Sequence, residues 1–186
     1  MTLRVIAGTA KGRHLKMVPG EGTRPIMDRA KEALFSILGQ SIRAATFLDL
    51  YAGTGSVGIE ALSRGAEHAV FVENARAAIS TIEANLKIAG LAEKAEIIRR
   101  DVRDYLRQAN PRPFEFVYVA PPQYKNLWRD TLLLIDSHPG HLQPDAVVVV
   151  QIDPEEKGDI VLNTLVAVDE RRYGNTLLWF FEHLGD

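Results

Sequence analysis

Cysteine is absent from all 186 residues, so neither disulfides nor thiolate metal ligands are available, as suits a reducing cytoplasm. The five histidines are scattered along the chain, and no metal site is expected. No apolar run approaches the length of a membrane span and no signal peptide precedes the first strand, so a cytoplasmic protein with no membrane partner is expected. Repeats and low-complexity segments are also missing. What remains is ordinary for one soluble domain with one core: 46% hydrophobic and 25% charged residues.

Acid and base nearly balance, at a net charge of −2, but not locally. Residues 1–45 hold eight Lys and Arg against three acids, a net of +5, which leaves −7 for residues 46–186. Such asymmetry points to a polyanion handled by the N-terminal arm. Within that arm, Leu3 to Ala7 reads as a strand, and Arg13 to Val18 as its hairpin partner across a glycine turn. A helix then opens at Asp28 as N-cap and closes at Gly39, with Arg29 and Lys31 facing outward.

The rest is organised around Phe47 to Gly65, F-L-D-L-Y-A-G-T-G-S-V-G-I-E-A-L-S-R-G. A short apolar strand runs into Gly53, Gly55 and Gly58, and a helical pattern follows. That arrangement sets bare backbone amides at a helix N-terminus. The spacing matches a dinucleotide loop, but Asp49 at the strand end repels a pyrophosphate and suits a cationic amino group. The loop therefore favours S-adenosylmethionine, with a nicotinamide cofactor as the alternative. Twenty residues beyond Gly53, Glu73 ends a second apolar run, where an acid accepts from ribose hydroxyls. Asp101, past a third strand (Ala95 to Arg99), suits either the adenine amino group or a helix N-cap. Phe114 to Val119 is a fourth strand, stopped by Pro121 and Pro122. A helix from Lys125 to Ser137, a β-branched strand from Ala146 to Ile152, and two strands meeting at Tyr173-Gly174-Asn175 complete the pattern. Alternating strands and helices with a terminal hairpin predict a doubly wound, mainly parallel sheet with an antiparallel last strand.

Several segments together resemble the RsmD-type family, which methylates the N2 amine of a guanine in small-subunit ribosomal RNA. These are R-V-I-A-G-T-A-K-G-R-H-L (Arg4 to Leu15), R-P-I-M-D-R-A-K-E-A-L-F (Arg24 to Phe35), the glycine stretch, V-E-N (Val72 to Asn74), the proline motif and the closing Y-G-N-T turn. The resemblance implies a Rossmann-like class I methyltransferase of seven strands at residues 46–186, preceded by a hairpin-and-helix extension at 1–45. It implies S-adenosylmethionine held by Asp49, Ala52, Gly53 and Gly55 at the methionine end. Glu73 with Asn74 would serve the ribose, and Asp101 with Val102 the adenine. It implies ribosomal RNA, naked or in a partly assembled small subunit, against Arg4, Lys11, Arg13, Arg24 and Arg29. In the family pattern an Asp or Asn precedes Pro-Pro and an aromatic follows. Here Ala120 stands in the first place, and Gln123 separates the prolines from Tyr124. The expectation is that Pro121, Pro122, Gln123 and Tyr124 form the catalytic segment, Gln123 replacing the lost acceptor and Tyr124 stacking on the base. The alternative left by Ala120 is a catalytically weak or inactive RNA-binding homologue.

Overall fold

A computed structural model describes residues 2–20 and 26–185. Seven strands form one sheet: β3 (Thr46–Leu50), β4 (His68–Glu73), β5 (Ala95–Arg99), β6 (Phe114–Val119), β7 (Leu142–Ile152), β8 (Leu165–Tyr173) and β9 (Thr176–His183). Their spatial order is β5-β4-β3-β6-β7-β9-β8. The first five are parallel, and β9 runs antiparallel between β7 and β8. The order reverses beside β3, so a crevice opens between the carboxyl ends of β3 and β6, the switch point where ligands bind in such sheets. This is the Rossmann-like class I methyltransferase architecture, with its antiparallel terminal strand.

Central strands read as continuous apolar runs because helices cover both faces. On one face Phe47, Phe71, Phe116, Tyr118 and Val149 pack with α1 (Asp28–Leu38), α2 (Ser56–Ser63) and α3 (Arg76–Ala89). On the other, Leu48, Val70, Val117 and Val148 meet α4 (Val102–Leu106) and α5 (Leu127–Ser137). All eight residues of α2 are buried. That helix lies between the sheet and the N-terminal segment, whose Leu3, Val5, Ala10, Leu15 and Leu34 share its core.

The N-terminal hairpin is shorter than its sequence suggests. Only Leu3–Arg4 (β1) and His14–Leu15 (β2) pair. Val5 still donates to the Arg13 carbonyl and accepts from Gly12, but beyond it the backbone turns to α2: the Ile6 and Ala7 amides donate to the two Glu60 carboxylate oxygens at 2.9 and 3.1 Å. Ala10 N–H donates to Ser63 Oγ at 2.9 Å, and that hydroxyl donates to the Ala7 carbonyl at 2.6 Å.

Lys31 does not face outward as expected. It is fully buried on the 31-34-35-38 stripe of α1, donating to the Arg4 carbonyl at 2.7 Å with Glu60 at 3.5 Å. Burial lowers its pKa, against the opposing pull of Glu60 and Asp28. Met27, not Asp28, is the α1 N-cap. The N-cap of α3 is Ala75, and the Glu73 side chain takes up the Asn74 and Ala75 amides.

Candidate cofactor and substrate pocket

A cavity of about 520 Å³ lies at the switch point, walled by the loop after β3, the proline segment after β6 and the end of β7. Its shape follows from the glycines. Tyr51, Gly53 and Gly55 all adopt positive φ (59°, 57° and 78°), coiling the chain between β3 and α2. Gly53 and Gly55 make that conformation inexpensive, whereas Tyr51 is strained. Gly58 serves packing instead: a Cβ there would sit 2.4 Å from Phe71 and 3.2 Å from the Asp49 carboxylate.

That close approach lets the Gly58 amide donate to Asp49 Oδ2 at 3.0 Å. Asp49 is 1% exposed and lines the cavity. Burial pushes its pKa well above the usual carboxylate range, opposed by the Gly58 hydrogen bond and assisted by nearby Glu73. A buried, underpaired carboxyl of this kind is stabilised as an anion by an arriving cation.

The loop itself is held by Glu73, the last residue of β4. Its Oε2 accepts from Gly53 N–H at 2.8 Å, and its Oε1 from Asn74 and Ala75 at 2.9 and 3.0 Å. Asn85 of α3 holds the loop from behind, donating to the Thr54 carbonyl at 2.9 Å while pairing with both backbone groups of Lys16. Asp101 caps α4: it accepts from the Arg103 amide at 2.8 Å and pairs with the Arg103 guanidinium at 3.2 Å. The Arg103 hydrogen bond holds its carboxyl below the usual range.

Asp49, Ala52 and Gly53 thus line the cavity, together with Pro121, Pro122 and Gln123. Gly55, Glu73, Asn74, Asp101, Val102 and Tyr124 do not line it. Gly55 lies behind the loop, and Glu73 and Asp101 continue the same rim at the ends of β4 and β5. Tyr124 is 64% exposed at φ 61°, its amide donating to Glu156 Oε1 at 2.6 Å. The Asp153 carboxylate beside its hydroxyl raises its pKa.

The sequence reading missed Tyr118 and Gln151, which also line the cavity. The Tyr118 hydroxyl and Gln151 Oε1 are buried, and neither has a hydrogen-bond partner among the described residues. The available signal was alternation: Tyr118 lies two before Ala120 on β6, and Gln151 is the polar break in V-V-V-V-Q-I. Met17, Val18 and Ile26, also missed, bring the N-terminal segment to the cavity wall.

Of the basic residues, Arg4 pairs with Asp28 at 2.9 Å and remains 55% exposed. Arg13 donates to the Ile88 carbonyl at 2.6 Å, Lys11 is exposed, and the Arg29 guanidinium lies 5.9 Å from the Tyr173 ring centroid. Arg24 lies outside the described residues. Among the described residues no group of three or more acids and histidines is placed to hold a metal, and no helix is long and apolar enough to cross a membrane.

Comparison with known proteins adds the following. The family described as conserved hypothetical protein 95 matches residues 3–182. A Bacillus subtilis protein provisionally named rRNA methyltransferase YlbH is 37% identical over 98% of this chain and all of its own length. The ribosomal RNA small subunit methyltransferase D of Haemophilus influenzae is 35% identical over 83% of this chain and 80% of its own. A solved Escherichia coli structure, provisionally described as the methyltransferase yhhF, superposes with a TM-score of 0.87 at 30% identity, covering 98% of each chain.

Proposed function

The chain belongs to the RsmD-type family, described as conserved hypothetical protein 95, and on that premise we propose that it transfers a methyl group from S-adenosylmethionine to the N2 amine of a guanine in small-subunit ribosomal RNA. The observation that carries the reading is the buried Asp49 carboxyl, which lines with the glycine loop a cavity that also takes in the proline segment. One cofactor end is a cationic amino acid, and such a carboxylate is fitted to its ammonium. A pyrophosphate at the same place would meet a negative charge, which argues against the nicotinamide alternative.

When bound, S-adenosylmethionine supplies an electrophilic methyl group. The protein's own task is then to hold, orient and exclude water. Asp49 anchors the ammonium, with Ala52, Gly53 and Gly55 shaping the surrounding loop. Glu73 and Asn74 serve the ribose. An ionised carboxylate has about four acceptor sites, and three backbone amides already occupy Glu73. It therefore has room for one ribose hydroxyl without releasing the loop. Asp101 and Val102 take the adenine edge. Pro121, Pro122, Gln123 and Tyr124 form the base-facing lip, with Tyr124 available to stack on a base splayed from its helix.

Residues 1–45 present the RNA-facing side, through Arg4, Lys11, Arg13, Arg24 and Arg29. The substrate is ribosomal RNA or a partly assembled small subunit.

The test is methyl transfer to methyl-free small-subunit RNA, followed by mapping of the modified nucleotide. The expected result is one methyl group on the N2 amine of a guanine. Transfer to a different atom would overturn the stated specificity. Cofactor binding without transfer to any RNA would favour the inactive, RNA-binding alternative that Ala120 suggests.

A further inference from the structure

Resting on that reading, we propose that Gln151, at the carboxyl end of β7, is the acceptor that positions the target amine in place of the side chain missing at Ala120. The sheet register brings the two residues together. Val119 pairs with Val150, so the next rung sets Ala120 beside Gln151. One alternation back, Tyr118 pairs with Val149 on one side and with Asp49 on the other. Parallel partners share a face, and side chains two apart along a strand share it too. Asp49, Tyr118, Ala120 and Gln151 therefore look onto one surface, and all four line the same cavity.

Ala120 leaves a methyl group where a longer side chain would otherwise fill the rung. Gln151 Oε1 is buried there without a partner among the described residues. An unpaired buried carbonyl is unfavourable in a folded protein, and such groups are usually satisfied by something. A donor arriving with the substrate is what this one lacks. Gln123 offers the same chemistry, but it is exposed at the cavity mouth and its oxygen is free to bond water.

The charge of the site explains why a carboxamide suffices. Asp49, a buried carboxyl with a raised pKa, lies on the same face of the sheet across β6. A second acid at position 151 would add like charge to it, whereas Gln151 accepts a hydrogen bond and adds none.

In the transfer, the amine lone pair forms the new bond to the methyl carbon as the carbon–sulfur bond breaks. That bonding pair stays on sulfur, leaving a neutral thioether, and the amine nitrogen then loses one proton to water. Gln151 takes no proton. Its oxygen accepts one amine N–H, turns the lone pair toward the methyl group and disperses the positive charge that grows on nitrogen.

The experiment compares Gln151→Leu, Gln151→Met and the double variant Gln151→Leu/Ala120→Asn with the parent, using S-adenosylmethionine and methyl-free small-subunit RNA. Removing the acceptor should lower kcat at least tenfold and leave cofactor affinity unchanged. Melting temperature should stay level or rise, because the unpaired carbonyl is gone. Ala120→Asn in the Gln151→Leu background should recover most of the lost rate, since an acceptor returns on the neighbouring rung. An active parent with unimpaired Gln151→Leu and Gln151→Met variants overturns the assignment alone, as does a rate loss that tracks a lower melting temperature or resists rescue. A parent that methylates no RNA overturns the proposed function and this assignment with it.

Discussion

Replacing Glu73 by alanine should be felt twice, once without cofactor and once with it. In the free protein the carboxylate holds three backbone amides within 3.0 Å, including Gly53 in the cofactor loop. Hydrogen bonds to a charged group are worth about 1.5–3 kcal/mol each when water is excluded. Glu73 is only half-buried, and water reaches part of what alanine would uncover. The net loss is therefore set at about 1–3 kcal/mol for the three together. For a domain of this size each kcal/mol lowers the melting temperature by about 2–4 °C, so a drop of about 2–12 °C is expected without ligand. The one ribose hydroxyl that Glu73 can still accept adds about 1.5 kcal/mol to binding, or roughly tenfold in affinity. Thermal melting of the free protein and calorimetric titration with S-adenosylmethionine measure the two effects separately. Unchanged melting would refute the loop-holding role. Lower melting with unaltered affinity would refute the ribose contact.

Gly58→Ala forces a methyl group to within 2.4 Å of the fully buried Phe71 ring, and overpacking of this kind costs about 1–3 kcal/mol. A variant that melts with the parent would show that α2 can shift freely. Asp49→Asn should flatten the pH dependence of stability. The native state holds the Asp49 proton more tightly than the unfolded chain does, so its contribution to stability falls as pH climbs from the ordinary carboxylate range toward the raised native value. Asparagine removes that loss and should weaken cofactor binding. Equal melting-versus-pH curves for the two proteins would contradict the argument. RNA affinity should fall steeply with salt, and Lys11→Ala should reduce the slope of log affinity against log salt by about one. A slope unaltered by that change would remove Lys11 from the phosphate contacts.

The middle of the chain was the most legible, because its patterns are local. Ala95–Arg99 and Phe114–Val119 are strands at the expected bounds, the second followed within two residues by a pair of prolines. The shape of the glycine loop was legible for the same reason, with strand, glycines and helix lying within one short stretch. The N-terminal segment was less so. Ile6 and Ala7 carry strand-like side chains, but their amides bond to a carboxylate 53 and 54 residues away. Lys31 looked like surface charge until Glu60 arrived beside it. Gln151 was hidden differently. Its meaning depends on which residue of β6 stands next to it, and register between strands is not written in either strand alone.

Glu60 has a consequence for how this protein can be divided or recombined. Its two oxygens gather the Ile6 and Ala7 amides, the Lys31 ammonium and the Arg64 guanidinium around the middle of a helix with no exposed face. Cutting away the basic arm would leave that carboxylate with Arg64 alone of its four partners and would bare a fully buried helix to water. The basic arm and the helix that follows the glycine loop therefore form one inheritable unit. An exchange of arms between relatives would succeed only where the recipient helix carries an acid at the position of Glu60 and a hydroxyl at that of Ser63.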